Sequence, residues 1–200
     1  MYTLINGSQK VSNSNSLYFL KYIGEYLTEY DIFDLKKENY KDILDSINIS
    51  ESIVIAFPLY ADSPSSIILK FLDYIYDNQI DLDNKRLYVV INCGFREGKQ
   101  NITALNIIKN YCKKANLRFS GGLLIGAGEI VGKPNYKFIT KNAHKSLHEF
   151  SVSVSNNKPC NDIITTMDLL TNRVYCMFAN HSWTKSGRKY KLSKKDICAK

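Results

Sequence analysis

Three polar loops in this sequence carry residue types that could bind a phosphate and a flat ring. The first, residues 7–16, joins a short apolar run to a helix-like pattern and is dense in hydroxyl and amide side chains. Where a strand enters a helix through such a loop, free backbone N–H groups meet the positive end of the helix dipole. Ser and Asn side chains can cap that helix or donate to phosphate oxygens. The loop therefore predicts a phosphate site, with a well-capped helix start as the alternative.

The second and third loops, residues 58–64 and 92–98, follow two continuous apolar, β-branched runs. Each combines glycine, proline or small polar residues with aromatic or charged ones. In an open parallel sheet, ligands bind beyond the carboxyl ends of the strands, so we expect all three loops at one edge. A flat aromatic ligand with a phosphate tail needs this mixture, because backbone groups reach its polar rim while apolar side chains cover its face.

Strand-like and helix-like segments alternate along the chain and must position these loops. This alternation predicts an α/β fold, a doubly wound five-stranded parallel sheet of order 2-1-3-4-5 with a C-terminal helical extension. The predicted strands are 2–6, 30–35, 52–57, 86–93 and 119–125, and the predicted helices are 16–29, 40–46, 64–75, 102–115 and 140–154.

The last part of the chain differs from the rest in composition. A linker-like stretch, 155–159, divides the predicted domain 1–155 from an extension, 156–200, that has an amphipathic helical pattern over 163–178. The helix is expected to pack on the core or on a second subunit. Residues 181–200 carry seven Lys and Arg against one Asp, whereas residues 1–180 carry twenty Lys and Arg against eighteen Asp and Glu. We interpret the basic tail as a solvated terminus and expect no nucleic-acid or membrane contact from it.

Composition excludes several other classes of protein. No apolar run approaches the ~20 residues that cross a bilayer, and the first strand leaves no room for a signal peptide, so we expect a cytoplasmic protein. The five cysteines are odd in number and widely spaced, without a C-x-x-C motif, which argues against a disulfide framework or a zinc site. His144 and His148 lack a nearby acidic or thiolate partner in their segment, so we predict no metal site.

Four motifs occur together in this sequence: Asn6-Gly7-Ser8 with Ser14-Asn15-Ser16, Phe57-Pro58-Leu59-Tyr60-x-Asp62-Ser63-x-Ser65, Asn92-Cys93-Gly94-Phe95-x-Glu97 and Gly121-Gly122-Leu123-x-x-Gly126-x-Gly128-Glu129. In these motifs the sequence resembles the flavodoxin-like NAD(P)H-dependent FMN reductases, over roughly residues 1–150. One departure is Gln9-Lys10, where family members often have Pro-Arg.

This resemblance implies FMN as the cofactor and NAD(P)H as the co-substrate. The flavin carries the chemistry, so no catalytic side chain is required. The implied FMN contacts are Ser8, Lys10, Ser14, Asn15 and Ser16 at the phosphate, Pro58, Leu59, Tyr60 and Ser63 along the ring and its polar edge, and Cys93, Gly94 and Phe95 on the other side.

The expected activity is an oxidoreductase that passes hydride from NAD(P)H through FMN to a small acceptor of quinone, nitro, azo or flavin type. The resemblance also implies a homodimer. Two alternatives stay open: a flavodoxin-like electron carrier without its own hydride chemistry, and a cofactor-free binding module that uses the basic tail.

Overall fold

The computed structural model describes residues 1–10, 13–37, 39–167 and 171–197, and for Asn172, Lys194 and Lys195 it describes the backbone only. The chain divides into two compact units, Met1–Met167 and Asp168–Lys200. Within the described ranges, no helix combines the length and the apolar character that a bilayer crossing requires.

The first unit is a parallel six-stranded sheet of order β2-β1-β3-β4-β5-β6. The order of the first five strands confirms the prediction, and the sixth strand corrects it. The strands are β1 Tyr2–Asn6, β2 Tyr30–Asp34, β3 Ser52–Pro58, β4 Arg86–Asn92, β5 Arg118–Ile125 and β6 Ile163–Thr165.

Helices cover both faces of this sheet, as right-handed crossovers require. Their buried positions recur at helical spacing, for example Ile68, Phe71, Leu72 and Ile75. The helices of the first unit are α1 Asn15–Gly24, α2 Tyr40–Ile49, α3 Ser66–Asp77, α4 Ile102–Lys114, α5 Gly128–Val131 and α6 Lys141–Ser155, with 3-10 turns at Gly98–Asn101 and Pro134–Tyr136.

The core consists of one apolar layer on each side of the sheet. Alternate residues of the central strands enter opposite layers, so Ile5 and Ile55 pack with α2, α3 and α4 while Leu4 and Val54 pack with α1 and α6. Because both faces are buried, β3 and β4 read as continuous apolar runs and β1 as a short apolar run, which is why their positions are predictable.

The region after residue 155 departs most from the prediction. Residues 163–165 were expected to begin an amphipathic helix, but they form β6, which pairs with β5. Pairing with the sheet edge decides the conformation of this three-residue segment, whose isoleucines fit either period. The sheet unit therefore extends past the predicted boundary at 155. Leu170, another residue of the predicted helix, lies outside the described residues.

The second unit is helical where it is described. Helix α7 spans Asn172–Arg188 and α8 spans Lys194–Ile197. Thr171 caps α7 through its side-chain oxygen, which accepts from the N–H of Val174 at 3.4 Å. Part of the predicted basic tail is thus helical.

Candidate functional site

The phosphate loop predicted between β1 and α1 is braced by Asn6. This side chain is buried, and its Oδ1 accepts from the N–H of Ser8 at 3.2 Å and from the hydroxyl of Ser14 at 3.3 Å. One amide therefore fixes both the first and the last part of the loop. Val11 and Ser12, in the middle of the loop, lie outside the described residues.

Helix α1 begins with free donors. The Ser14 hydroxyl oxygen caps the helix by accepting from the N–H of Leu17 at 3.1 Å, while its proton goes to Asn6. Within the described part of the chain, the backbone N–H groups of Ser14, Asn15 and Ser16 have no acceptor. Ser14 therefore offers a ligand its backbone N–H rather than its hydroxyl. These three N–H groups sit at the positive end of the α1 dipole and suit an anion.

Further groups of the loop can also face a ligand. The Ser8 hydroxyl oxygen accepts from the N–H of Lys10 at 3.2 Å, which leaves its own proton free to donate. The Lys10 ammonium group reaches the carbonyl oxygen of Asn13 at 3.4 Å and is exposed. Gln9 donates to Ser66 Oγ at 2.7 Å. That contact ties the loop to the start of α3.

The second loop forms a tight turn at the rim of the cavity. Tyr60 and Ser63 exchange two backbone hydrogen bonds of 3.1 and 3.0 Å, and Ala61 and Asp62 between them have φ of 47° and 59°. Two successive left-handed residues define a type I′ turn, and without glycine each costs about 1 kcal/mol. The turn leaves Tyr60 47% exposed.

The backbone N–H groups that the sequence analysis expected this loop to offer, those of Leu59, Tyr60 and Ser63, already have acceptors. The N–H of Leu59 donates to the carbonyl of Asn92 at 2.8 Å, and those of Tyr60 and Ser63 bond each other's carbonyls. Pro58 has no N–H to offer. The loop therefore offers a ligand an apolar wall, whereas the sequence analysis also expected backbone donors from it.

The third loop is joined to the first two by Asn92. Its side-chain nitrogen donates to Ser16 Oγ and to the carbonyl of Phe57, both at 3.1 Å. A Cβ on Gly128 would lie 2.8 Å from Asn92 Cβ, so only glycine lets the chain after β5 pack this closely against the Asn92 side chain. Asn92 thereby holds β4, β3 and α1 in one arrangement.

The thiol of Cys93 lies near three carbonyl oxygens, those of Phe95, Glu97 and Ile125, each at 3.7 Å. Burial raises the pKa of Cys93. The side chain is therefore a neutral thiol at neutral pH, not an activated nucleophile.

These elements enclose a cavity of about 740 Å³. That volume is in the range of small-molecule and cofactor sites. Ten of the twelve predicted contacts line it, and Ser63 and Phe95 do not. Contact with a cofactor stays a prediction for all twelve. The full lining is Ser8, Lys10, Asn13, Ser14, Asn15, Ser16, Leu17, Tyr18, Lys21, Pro58, Leu59, Tyr60, Asn92, Cys93, Gly94, Glu129, Gly132 and Lys133.

One wall of the cavity was missed by the sequence analysis. It comes from α1 and from the segment that begins with α5, and we call it the α1–α5 wall: Tyr18, Lys21, Glu129, Gly132 and Lys133. The one available signal was helical spacing, which places Tyr18 and Lys21 on one face after the Ser14 cap. Burial raises the pKa of Tyr18, so its phenol stays protonated and can donate a hydrogen bond.

Comparison with known proteins identifies the architecture. No family model matches the sequence, and no curated protein matches it either. Solved structures do match. An NADPH-quinone reductase from P. pentosaceus superposes with a TM-score of 0.61 at 14% identity, covering 78% of this chain and 98% of that one. The chain has a flavodoxin-like fold.

Two further flavodoxin-like structures give the same result. An NADH:FMN oxidoreductase, solved in its apo form, has a TM-score of 0.57 at 12% identity, covering 76% of this chain and 88% of its own. A flavodoxin from the domain Archaea has a TM-score of 0.55 at 10% identity, covering 78% and 98%. The fold hosts different activities, so the function has to be argued from the site.

Proposed function

We propose that this chain is an FMN-dependent oxidoreductase that takes hydride from NAD(P)H and passes it to a small acceptor of quinone, nitro, azo or flavin type. One observation carries the proposal: the unpaired N–H groups at the start of α1 open into the same cavity as the apolar wall of the second loop. This cavity lies where the strand order reverses, between β1 and β3. Doubly wound folds bind ligands at that point.

The residues present fit FMN. The backbone N–H groups of Ser14, Asn15 and Ser16, with Lys10 beside them, suit a phosphate dianion. Leu59 and Tyr60 provide apolar surface for a ring, and Gly94 on the other side leaves room next to it. FMN, when bound, supplies the hydride chemistry. The residues of the chain bind, orient and shield it, and the absence of an activated nucleophile at Cys93 agrees with that division.

The names of the structural neighbours support the same class of reaction. One is a quinone reductase that uses NADPH, and another is an oxidoreductase that uses NADH and FMN. The likeness is one of fold, so cofactor, reductant and acceptor are all part of the proposal for this chain.

Anaerobic reduction tests the proposed function. FMN is added to the purified protein, the flavin absorption is recorded, and NADPH or NADH is then added. We expect bound flavin that bleaches with reductant and recovers when a quinone is supplied. Bound flavin that neither nicotinamide bleaches would indicate an electron carrier instead. No perturbation of FMN at high protein concentration would overturn the proposal.

We further propose that the protein acts as a homodimer in the cytoplasm. Helix α7 carries large apolar side chains that are exposed, among them Met177, Phe178 and Trp183. Several large apolar side chains exposed on one element can mark a protein–protein interface. Light scattering on the full chain tests the dimer: we expect twice the mass of 22.9 kDa, and a monomer at all concentrations would contradict it.

A further inference from the structure

The α1–α5 wall adds two lysines to the cavity, Lys21 and Lys133, besides the donors of the phosphate loop. Lys21 is six residues beyond Asn15 on α1, which places it about 9 Å further along the helix axis. Lys10, by contrast, reaches the carbonyl oxygen of Asn13, two residues before α1. The backbone position of Lys21 therefore lies further from the start of α1 than the loop that carries Lys10.

The two lysines of this wall come from positions next to Tyr18 in the fold. Tyr18 and Lys21 are three residues apart and share a helix face. A Cβ on Gly132 would lie 3.1 Å from Tyr18 Cγ and 3.2 Å from both Cδ atoms, so the backbone there passes directly over the ring. Lys133 follows at once and also lines the cavity. Lys21 and Lys133 consequently approach the same space from two elements.

No ion pair neutralises the lysines of the wall within the described part of the chain, although the charge of Glu25, four residues beyond Lys21, acts on the Tyr18 phenol. Among the residues that the structure describes, neither Lys21 nor Lys133 has an ion-pair or side-chain hydrogen-bond partner. The carboxylate of Glu129 packs against the third loop, where its Oε1 would lie 3.5 Å from a Cβ on Gly94.

The net charge of the cavity is therefore positive. Its lining holds three Lys and one Glu. Residues 1–167 as a whole carry 19 Lys and Arg against 17 Asp and Glu. The unit and the cavity lining thus each have a formal excess of two positive charges, and a positively charged cleft attracts anions.

We propose that Lys21 and Lys133 form a second anion subsite, which binds a phosphate monoester on the ligand that meets the flavin. This rests on the proposed function. Two ammonium groups act as point charges and match a phosphate dianion better than they match a planar carboxylate, which favours the fork of Arg. The phosphate can belong to the reductant, as the 2′-phosphate of NADPH, or to the acceptor, as in free FMN.

Binding measurements on the FMN-loaded protein test the subsite. The probes are NADP⁺ and NAD⁺, which differ in the 2′-phosphate alone, and calorimetry gives both dissociation constants. We expect NADP⁺ to bind about tenfold more tightly, and the preference to disappear in the double variant Lys21→Ala/Lys133→Ala. Added salt should reduce the preference as well. The matched control is Lys137→Ala, an exposed lysine four residues beyond Lys133 and outside the lining.

A second arm separates the two sources of phosphate. FMN and riboflavin are compared as acceptors in steady-state turnover, and the ratio of their kcat/KM values is followed in the same variants. A ratio that falls to unity in the double variant, with no NADP⁺ preference in the wild type, assigns the subsite to the acceptor. If neither ratio responds to the double variant, the subsite is overturned.

Failure of the anion subsite can be distinguished from failure of the proposed FMN-dependent function. Both lysines are exposed, so the double variant should keep its fold and its affinity for FMN, which flavin fluorescence measures directly. The calorimetric arm is repeated on FMN-free protein with adenosine 2′-monophosphate against adenosine. Failure of FMN binding with a preserved 2′-phosphate preference would contradict the proposed function alone. The reverse pattern would contradict the subsite alone.

Discussion

The two ends of the cavity are built differently. At the start of α1, Asn6, Ser14 and Asn92 are buried and hydrogen-bonded to each other's loops, so the free N–H groups are fixed before any ligand arrives. At the α1–α5 wall, the charged groups are long, exposed side chains, and its two lysines have no ion-pair partner among the described residues. Preorganised backbone donors lose little entropy on binding, whereas lysines must be ordered by the ligand. The first end suits a resident cofactor, and the second suits a ligand that exchanges.

Removing the side-chain hydrogen bonds by which Asn92 joins the loops should have the largest effect on stability and on FMN binding. Asn92→Ala leaves Ser16 Oγ and the carbonyl of Phe57 without their donor in a buried region. We expect a loss of about 2–3 kcal/mol in the free energy of unfolding, together with weaker FMN binding. Urea denaturation measures the first quantity and flavin fluorescence the second.

The control for that experiment is Asn78→Ala. Asn78 also donates through its side chain, to the carbonyl of Tyr74 at 2.8 Å, but it is exposed. Its loss should change the free energy of unfolding by less than about 0.5 kcal/mol. Equal effects of the two variants would contradict the view that Asn92 braces the site.

A negative charge placed behind the phosphate loop should weaken the binding of FMN more than the binding of riboflavin. Asn6→Asp keeps an oxygen acceptor for the Ser8 N–H and the Ser14 hydroxyl, and it adds a negative charge. We expect FMN affinity to fall by about a hundredfold while riboflavin affinity changes little. Asn6→Ala, which loses the brace, should weaken both. If Asn6→Asp affects both flavins equally, the phosphate does not lie at this loop.

A smaller effect is expected from the exposed cation of the same loop. Lys10→Ala should weaken FMN binding by about twofold to fivefold, because an exposed charge contributes less than about 1 kcal/mol. The effect should shrink in high salt and be absent for riboflavin. Lys37→Ala, an exposed lysine paired with Asp34 and outside the lining, is the matched control. An equal loss in both variants would contradict a local role for Lys10.

The smallest expected effect is a difference in alkylation rate between Cys93, in the third loop, and an exposed cysteine. The raised pKa of Cys93 means that less thiolate is present at a given pH, and the side chain is 5% exposed. Alkylation at about pH 8 should therefore be slower at Cys93 than at the exposed Cys176, and it should accelerate as the pH rises toward the higher pKa. Peptide mass spectrometry resolves the two sites. Equal rates would show that the third loop opens readily.

The predictable part of the fold follows from burial on both faces of the sheet. Strands β3 and β4 are read from continuous apolar, β-branched runs and β1 from a short apolar run, and β1 has the predicted bounds. Strand β6 is three residues long, and its isoleucines fit helical spacing as well. Only the pairing of this segment with β5 makes it a strand rather than part of a helix, and a pairing between distant segments cannot be read from the local sequence.

The site divides in the same way. The phosphate loop and the second and third loops follow strand ends, so topology alone brings them to one edge. Tyr18, Lys21 and Lys133 depend on how α1 and α5 pack on the sheet, which local sequence does not determine. At the Tyr60–Ser63 turn, the sequence analysis expected too much. The backbone N–H groups of these two residues were predicted to donate to a ligand, but they donate to each other's carbonyl oxygens.

The most direct test of the central claim is a comparison of FMN and riboflavin binding to the wild-type protein. Fluorescence titration at physiological salt gives both dissociation constants. If the unpaired N–H groups of Ser14, Asn15 and Ser16 hold the phosphate, FMN should bind at least about tenfold more tightly than riboflavin. Equal affinities, or no binding of either flavin, would contradict the account.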